Sequence, residues 1–236
     1  MANILKNIFN GTDEIAQTFL IESWHVSQSV DALTGAAAYD ITISGSETVI
    51  GQTMEGDGST VASGQYSHAE GAFNTTANGY ASHAEGRVTT ANGPYSHTEG
   101  FMTITEGMYS HAEGSGTTAQ GNYSHAEGDS TLASGSYSHA EGGGAIAQGD
   151  YSHAEGFRTR AIGDYSHAEG RLATASGSYS HAEGYSTTAL GFYSHAEGYK
   201  TLASGNFSHA EGDNTTAQGP GSHAEGDTTL AQGGWS

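Results

Sequence analysis

A five-residue string, Ser-His-Ala-Glu-Gly, recurs at a fixed spacing through most of this chain and constrains its fold more than any other feature. With one variant that has Thr98 in the alanine place, the string occurs twelve times, beginning at Ser67. The first two histidines, His68 and His83, are 15 residues apart, and all later neighbours are 14 apart. Fixed-period repeats are typical of solenoids, in which each repeat forms one coil that stacks on the next. The extra residue lies in residues 72–74, where we expect a bulge in an otherwise regular array.

Each 14-residue unit contains two similar halves that alternate like β-strands. A glycine recurs every seven residues from Gly86 to Gly233, and an alanine stands two residues before most of these glycines. In residues 123–128, Tyr, His and Glu alternate with Ser, Ala and Gly, which places the small side chains on one face. Two strands and two turns per unit predict a flattened coil, and stacked coils form parallel sheets with a spacing of ~4.8 Å.

A helix with seven-residue periodicity is the competing interpretation of the same spacing. It fails because each glycine in a helix interior costs ~1 kcal/mol relative to alanine. Moreover, no large apolar residues form the seam that a heptad repeat requires.

The composition fits thin coils and excludes several classes of protein. Among 236 residues there are 36 Gly and no Cys, which excludes disulfides, zinc–thiolate sites and a cysteine nucleophile. The net charge of −20 argues against binding to nucleic acid. No run of ~20 apolar residues is present and the first residues lack the apolar stretch of a signal peptide, so we expect no membrane insertion.

The outward face of the first half carries a column of aromatic residues beside columns of His and Glu. An exposed aromatic column is normally an interface, and a coil with a core of Ala and Ser is too thin to be stable alone. We therefore predict self-association through this Tyr/His/Glu ladder. Its central members are Tyr123, His125, Glu127, Tyr137, His139, Glu141, Tyr151, His153, Glu155, Tyr165, His167 and Glu169.

Two interpretations of the ladder stand side by side. Carboxylates ~4.8 Å apart would repel by roughly 3.5 kcal/mol at an effective dielectric of ~20, so we expect imidazole and tyrosine groups to hydrogen-bond them as a structural ladder. Metal binding is the alternative, because His and Glu are both ligands and three-fold symmetry could supply three His per layer. A metal site is usually singular whereas this motif is uniform, so we predict no metal and no cofactor.

Pairing of His with Glu also predicts a pH dependence. A histidine that gains a carboxylate partner has a raised folded pKa, and the partner glutamate has a lowered one. We therefore expect the assembly to be most stable between these two titrations, in mildly acidic to neutral conditions.

No catalytic constellation stands apart from the repeat, so we predict that the chain is not an enzyme. The sequence shows no Ser-His-Asp set, catalytic carboxylate pair or phosphate-binding loop outside the repeat. Ice binding would need a regular exposed threonine array, whereas the outward positions of the second half mix Val61, Thr76, Ile104 and Arg160. Calcium-dependent rolls need aspartate at their turns, and aspartate is sporadic here.

The two positions after each Ser-His-Ala-Glu-Gly vary most and carry four of the five Lys and Arg residues of the repeat region. They are predicted turn positions, so the scaffold does not dictate their side chains. In one interpretation they are corners of the coil that meet solvent or a neighbouring chain. In the other they form a surface that contacts a host glycan or another protein, because aromatic planes suit sugars and Arg is enriched in binding hot spots. The members of this candidate contact stripe are Phe157, Arg158, Arg171, Tyr185, Tyr199 and Lys200.

The repeat resembles the head repeat of YadA-like trimeric adhesins. Their usual Ser-Val-Ala-Ile-Gly string is matched position by position by residues 124–128, with His125 and Glu127 in place of two apolar residues that face the trimer interior in that family. The resemblance covers residues 59–236 and implies an all-β fold: a parallel left-handed β-roll, a β-solenoid with 14 residues per coil and three chains around one axis.

Residues 1–58 carry no repeat and are predicted to form a small N-terminal attachment segment that ends in a linker over 51–58, before a twelve-coil roll at 59–236. Residues 21–41 are similar to the N-terminal region of tail-fibre-type proteins of marine tailed phages, and Ser-His-Ala-Glu-Gly arrays also occur in phage tail proteins. This resemblance implies a non-enzymatic homotrimeric fibre of a phage virion, either a tail fibre or a tail appendage.

In that setting, residues 1–58 would dock on other tail or baseplate proteins, and the roll would contact the host surface, a glycan or a protein, or other virion proteins. The alternative is the head domain of a bacterial trimeric adhesin on the cell surface. That class needs a signal peptide and a C-terminal membrane barrel, and the sequence shows neither.

Overall fold

The alternation of small and large side chains produces two strands in every coil. The computed structural model describes residues 53–56 and 60–234. In each repeat coil one strand begins at the histidine of the repeat, and it is five residues long except at His97–Thr98, where it has two. A second strand, of two residues, ends at the small residue of the second half. Over the described residues the chain is an all-β parallel solenoid of about 12 coils with no helix. The solenoid belongs to a compact unit that spans Val49–Ser236.

The odd-numbered strands form one sheet and the even-numbered strands form the other, with 13 strands in each. The odd-numbered strands are β1 (Thr53–Gly56), β3 (His68–Ala72), β5 (His83–Arg87), β7 (His97–Thr98), β9 (His111–Ser115), β11 (His125–Asp129), β13 (His139–Gly143), β15 (His153–Phe157), β17 (His167–Arg171), β19 (His181–Tyr185), β21 (His195–Tyr199), β23 (His209–Asp213) and β25 (His223–Asp227). The even-numbered strands are β2 (Val61–Ala62), β4 (Thr76–Ala77), β6 (Thr90–Ala91), β8 (Ile104–Thr105), β10 (Thr118–Ala119), β12 (Leu132–Ala133), β14 (Ile146–Ala147), β16 (Arg160–Ala161), β18 (Thr174–Ala175), β20 (Thr188–Ala189), β22 (Leu202–Ala203), β24 (Thr216–Ala217) and β26 (Leu230–Ala231). The described residues contain no helix that is long and apolar enough to cross a membrane.

Every strand pairs in parallel with the equivalent strand of the next coil, so equivalent residues lie beside each other. His125 stands between His111 and His139 in the odd-numbered sheet, and the alanine, glutamate and glycine positions keep the same register. Each position of the repeat therefore becomes a continuous column along the solenoid.

Small side chains fill the interior, as the strand parity predicts. Ala126 and Ala133 are fully buried, and Ser124 and Thr131 are buried beside them. The Ser124 hydroxyl donates a hydrogen bond of 2.6 Å to the carbonyl of Gly121, which satisfies a polar group that burial would otherwise leave costly. Among residues 60–234, the core therefore consists of Ala, Ser and Thr, and no large apolar side chain is buried there.

One coil breaks the alanine column with two buried threonines. Thr98 and Thr105 stand where other coils have alanine, and both are fully buried. The Thr105 hydroxyl donates to the hydroxyl of Ser96 at 2.8 Å. The buried alanines consequently form two clusters, one over residues 62–91 and one over residues 112–224.

The extra residue of the first unit is absorbed in a turn. Phe73 and Asn74 both have left-handed backbone angles, with φ of 56° and 68°, whereas the next coil has Val88 alone at this turn, with φ of 60°. His68 still pairs with His83 across the insertion. The predicted bulge over residues 72–74 is confirmed as a longer turn that leaves the strand register intact.

At its N-terminal end the array differs from the predicted linker. Residues 53–56 form β1, in which Thr53 pairs with His68 and Gly56 pairs with Gly71. The sequence Thr-Met-Glu-Gly keeps the Glu and Gly of the repeat in their places, so its backbone can extend the odd-numbered sheet by one strand. Residues 1–52 lie outside the described residues, and the attachment segment predicted there, with its boundary, stays a prediction.

Candidate functional site

The histidines of the predicted ladder form a stacked column along the odd-numbered sheet. The ring centroids of His125 and His111 are 4.9 Å apart with planes at 2°, and those of His125 and His139 are 4.8 Å apart at 9°. His153 and His167 continue the same stack. The side chain of His125 is 33% exposed, so the column is half-buried within one chain. The stacking follows from the in-register pairing, which repeats every ring at the ladder spacing.

The glutamates approach the imidazole Nε2 atoms without making tight hydrogen bonds to them. His125 Nε2 lies 3.4 Å from a Glu113 carboxylate oxygen and 3.6 Å from one of Glu127. His139 Nε2 lies 3.6 Å from Glu141. The Nε2 atoms of His125 and His139 are themselves buried and have no hydrogen-bond partner in the described chain. Ladder members Glu155 and Glu169 occupy the same strand position in their coils.

Burial lowers the pKa of most of these histidines. For His139 the cost of removing an imidazolium from water is the largest effect, the neighbouring His125 lowers the pKa further, and the carboxylates of Glu141 and Glu127 oppose both. The pKa shifts in the same direction for His83, His111, His153, His167, His181, His195 and His209. For these eight histidines the predicted rise of the pKa is therefore wrong, because burial disfavours the imidazolium and the neighbouring imidazoles oppose its charge further.

Adjacent carboxylates share protons at the N-terminal end of the glutamate column. Hydrogen bonds with Glu99 and Glu70 raise the pKa of Glu85 to about 7. Conversely, the hydrogen bond that Glu70 accepts from Glu85 lowers the pKa of Glu70. Part of the expected repulsion between stacked carboxylates is thus relieved by protonation.

The tyrosines form a continuous column, as predicted, but they stand in the turn before the strand. Tyr123, Tyr137 and Tyr151 have left-handed φ angles of 57°, 58° and 57°. Their rings stack at 4.8 and 4.7 Å with planes within 3°, and Tyr165 continues the stack at 4.8 Å. The first three are 47%, 49% and 50% exposed. The aromatic column therefore lies at the edge of the coil, and its placement on the strand face was wrong because strand parity was extended into a turn.

A further tyrosine joins this column from a neighbouring turn position. In the second coil Ala81 takes the left-handed place and Tyr80 precedes it. The Tyr80 ring makes edge contacts with Tyr66 and Tyr95, each with a centroid distance of 5.4 Å. Sequence position alone missed this residue, although the exchange of Tyr and Ala in residues 80–81 is visible.

The ladder contains repeated groups of metal-ligating atoms, of which His125, Glu127 and His139 are one example. Their ligand atoms lie within 4.8 Å of one another. The ring planes are nearly parallel, so the Nε2 lone pairs run side by side and do not converge on a point at about 2.0 Å, the distance a bound metal requires. A site with converging ligands would need donors from further chains, and the absence of a metal stays a prediction.

The serine next to each histidine faces away from it. Ser124 is buried in the core, and its hydroxyl is hydrogen-bonded to the Gly121 carbonyl, whereas His125 lies on the outer face. This arrangement does not align a serine nucleophile with a histidine base.

Four members of the candidate contact stripe form one column at the end of the longer strands. Phe157, Arg171, Tyr185 and Tyr199 are successive neighbours in the odd-numbered sheet. The Arg171 guanidinium lies 5.7 Å from the Phe157 ring centroid and 5.4 Å from that of Tyr185. The rings of Tyr185 and Tyr199 stack at 5.1 Å. The structure therefore brings these residues together, as the last residue of each strand and not as turn residues.

The other two members lie in the adjoining turns. Arg158 and Lys200 each have a left-handed φ of 52°. The Arg158 guanidinium lies 5.2 Å from the centroid of Phe157, and the Lys200 Nζ lies 4.9 Å from that of Tyr199. Each cation thus rests on a ring of its own coil.

A second cluster of the same kind lies nearer the N-terminus and was not included in the predicted stripe. The Arg87 guanidinium lies 4.7 Å from the ring centroid of Phe73 and 5.4 Å from that of Phe101. Arg87 bridges to Phe101 at the same sheet edge. The sequence feature that could have predicted this cluster is the position of Arg87 and Phe101, each directly after a repeat string.

Comparison with known families agrees with this geometry. The profile of the YadA head domain repeat, which comprises two copies of the repeat, matches residues 112–138, 168–194, 182–208, 196–222 and 210–233. These coils are therefore similar to YadA head repeats, which confirms the predicted resemblance for the matched residues. No curated protein shows a significant match to the chain.

Proposed function

We propose that this chain, whose matched coils are similar to YadA head repeats, is the non-enzymatic head of a homotrimeric adhesive fibre. YadA head domains are elements of surface adhesins, which supports a place on the bacterial cell surface. The ladder serves as the interface between the three chains, and the outer positions of the coils face other molecules.

The observation that carries this proposal is the uncovered tyrosine column. About half of the surface of each tyrosine residue, for example 49% of Tyr137, is exposed in a single chain. Covering a half-exposed aromatic side chain contributes on the order of 1–2 kcal/mol from area alone. The interior, built from Ala, Ser and Thr, offers much less apolar area per coil, so association is the natural source of the missing stability.

The histidine column supports the same arrangement. A buried polar atom without a hydrogen bond costs about 1–3 kcal/mol. The buried Nε2 atoms of His125, His139 and His153 make no hydrogen bond within the described chain, although carboxylate oxygens lie 3.4 and 3.6 Å from the first two. Glutamate or tyrosine groups of a neighbouring chain are suitable partners for a neutral imidazole. Because the histidine recurs in every coil, the stabilisation from these hydrogen bonds would add up along the fibre.

The virion setting predicted from residues 21–41 depends on a segment outside the described residues, and it stays a prediction. Three other statements likewise stay predictions: the left-handed winding of the roll, the docking role of residues 1–58 and the absence of enzymatic activity. The proposed location, the bacterial cell surface, rests on the similarity to YadA head repeats.

The oligomeric state tests the proposal directly. We expect the full chain to show three times its 24.2 kDa mass by light scattering coupled to size exclusion at neutral pH. A monodisperse monomer over the micromolar range would overturn the proposal. Sedimentation velocity distinguishes a trimer from an elongated monomer, because it reports mass and shape together.

A further inference from the structure

We propose that the contact stripe (Phe157, Arg158, Arg171, Tyr185, Tyr199 and Lys200) binds an acidic glycan, a sugar polymer that carries carboxylate or sulfate groups. The inference rests on the proposed adhesive function and names the class of ligand for it.

The charge distribution is the first argument. The chain has 6 Lys and Arg residues against 26 Asp and Glu, yet Arg158, Arg171 and Lys200 lie within four successive coils at one sheet edge. In the described part of the chain the ion pairs join only His to Glu, so these three cations do not neutralise the protein's own carboxylates. A local positive surface on an acidic protein selects an anionic partner.

The rings of the stripe hold the cations rather than the sugar. Arg171 lies between the rings of Phe157 and Tyr185, and the face of Tyr185 on the other side is stacked on Tyr199. The interior ring faces are therefore occupied, which corrects the expectation that aromatic planes would receive sugar rings. A guanidinium resting on a ring keeps its in-plane N–H donors, and these match a carboxylate or sulfate in bidentate geometry.

The spacing of the charges favours a glycan over a nucleic acid. Cations occupy the first, second and fourth of four coils, so they are spread along ~14 Å at the ladder spacing. Duplex DNA carries one charge per ~1.7 Å, and a chain with a net charge of −20 repels so dense a polyanion. A polymer with separated acidic groups and many hydroxyls suits a sparse row of cations interspersed with tyrosine hydroxyls.

The stripe has defined ends along the column. Gly143 precedes Phe157 in the sheet, and Asp213 follows Tyr199. A glycine offers no side chain and an aspartate repels an acidic ligand, so the binding surface is confined to the four coils between them.

The experiment measures binding of the full chain to three probes by isothermal titration calorimetry at low ionic strength. The probes are chondroitin sulfate oligosaccharides, oligogalacturonate and neutral dextran, with single-stranded DNA as a polyanion control. We expect binding to at least one acidic glycan and none to dextran. The triple variant Arg158→Gln, Arg171→Gln, Lys200→Gln should weaken that binding at least about tenfold, since hydrogen bonds to charged groups are the strong ones.

A matched control removes cations elsewhere. Arg160 lies on the even-numbered sheet and Arg87 in the other cation–ring cluster, and the double variant Arg160→Gln, Arg87→Gln should retain the parent affinity within about twofold. Equal losses in both variants, equal binding of single-stranded DNA, or no binding of any acidic glycan by the parent would each overturn the proposal.

The same samples separate this proposal from the function on which it rests. A parent trimer that binds no acidic glycan contradicts only the ligand, whereas a parent monomer contradicts the fibre. A triple variant that no longer forms trimers would show that the stripe is a contact between copies, and this would also overturn the glycan assignment.

Discussion

At the scale of single residues, the two glycines of each coil decide how closely the coils approach. At Gly121 an added Cβ would overlap the carbonyl oxygen of Gly135 in the next coil. At Gly128 the φ of +106° is unfavourable for other residues, and a Cβ would overlap the carbonyl of Gly142. Glycine therefore recurs every seven residues because the backbones of adjacent coils are in close contact there, and not because the turns need to be flexible.

We accordingly predict that Gly121→Ala destabilises the solenoid by about 3 kcal/mol or more, because backbone atoms must move to admit the methyl group. The control is Gly143→Ala, where a Cβ would meet only the side chain of Phe157, which can shift. Urea unfolding followed by circular dichroism measures both variants. Similar midpoints for Gly121→Ala and the parent would contradict the steric argument.

Tyrosine in a left-handed conformation is the other residue-scale departure from ordinary strand geometry. Tyr137 has φ of 58°, and its backbone N–H donates to the carbonyl of Asn122 at 2.8 Å. A non-glycine residue in this region costs on the order of 1 kcal/mol or more, and it persists where surrounding contacts hold it. The ring stack and the hydrogen bond between coils provide those contacts.

At the scale of elements, the in-register sheet turns single titratable residues into columns. His139 lies among imidazoles above and below, and burial and like charge together lower its pKa. The unfolded chain then binds protons more readily than the folded chain does, between the folded and unfolded pKa values. The neutral histidine column therefore contributes stability above this range and loses that contribution as pH falls through it.

This sign predicts acid lability. Stability contributed by the neutral histidines is fully present above the unfolded pKa of about 6.5 and is lost as pH falls from there through the lowered folded values. We expect the melting temperature to be flat between pH 7.5 and 8.5 and to fall steadily from pH 7 to pH 5. Glu85 has a pKa raised to about 7, so the stability that it contributes is present at lower pH and is lost as pH rises through 7, which opposes the effect of the histidines. A melting temperature that rises on acidification would contradict the prediction.

At the scale of the whole molecule, stability depends on what covers the ladder, because the core of each coil holds only small side chains. Each coil contacts only the coils next to it in the stack, so the stability of the solenoid is a sum over similar coils. A surface that contributes little stability in one coil therefore contributes little in all of them. An interface along the ladder would be distributed over many coils, and no single position would be a dominant hot spot.

We predict that replacing His125 and His139 with Gln weakens the trimer, since glutamine keeps polarity but loses the ring stack. The expected effect is about a tenfold rise in the concentration at which the assembly dissociates, measured by sedimentation equilibrium. The matched control replaces Gln120 and Gln148 with Asn on the other side of the coil. Equal dissociation of the two double variants would place the interface away from the histidine column.

The order of the chain by itself determined the coil length, the inward face of Ala, Ser and Thr and the place of the extra residue at 72–74. These are periodic, local properties, and one 14-residue unit predicts them for all the others. It also indicated which variable positions carry the cations, because Arg158, Arg171 and Lys200 all fall within the two positions that follow the repeat string.

Only the tertiary structure decided the electrostatics and the exact surroundings of the candidate sites. The pKa of His139 is set by rings in adjacent coils, the left-handed turn at Tyr137 by a carbonyl of the preceding coil, and the covered faces of Phe157 by cations in two coils. Alternation within a unit predicts which face of the strand a side chain occupies. The burial of that side chain, the repulsion from like charges and the backbone angle depend on residues of the adjacent coils, which are 14 residues away in sequence and come into contact only when the coils stack.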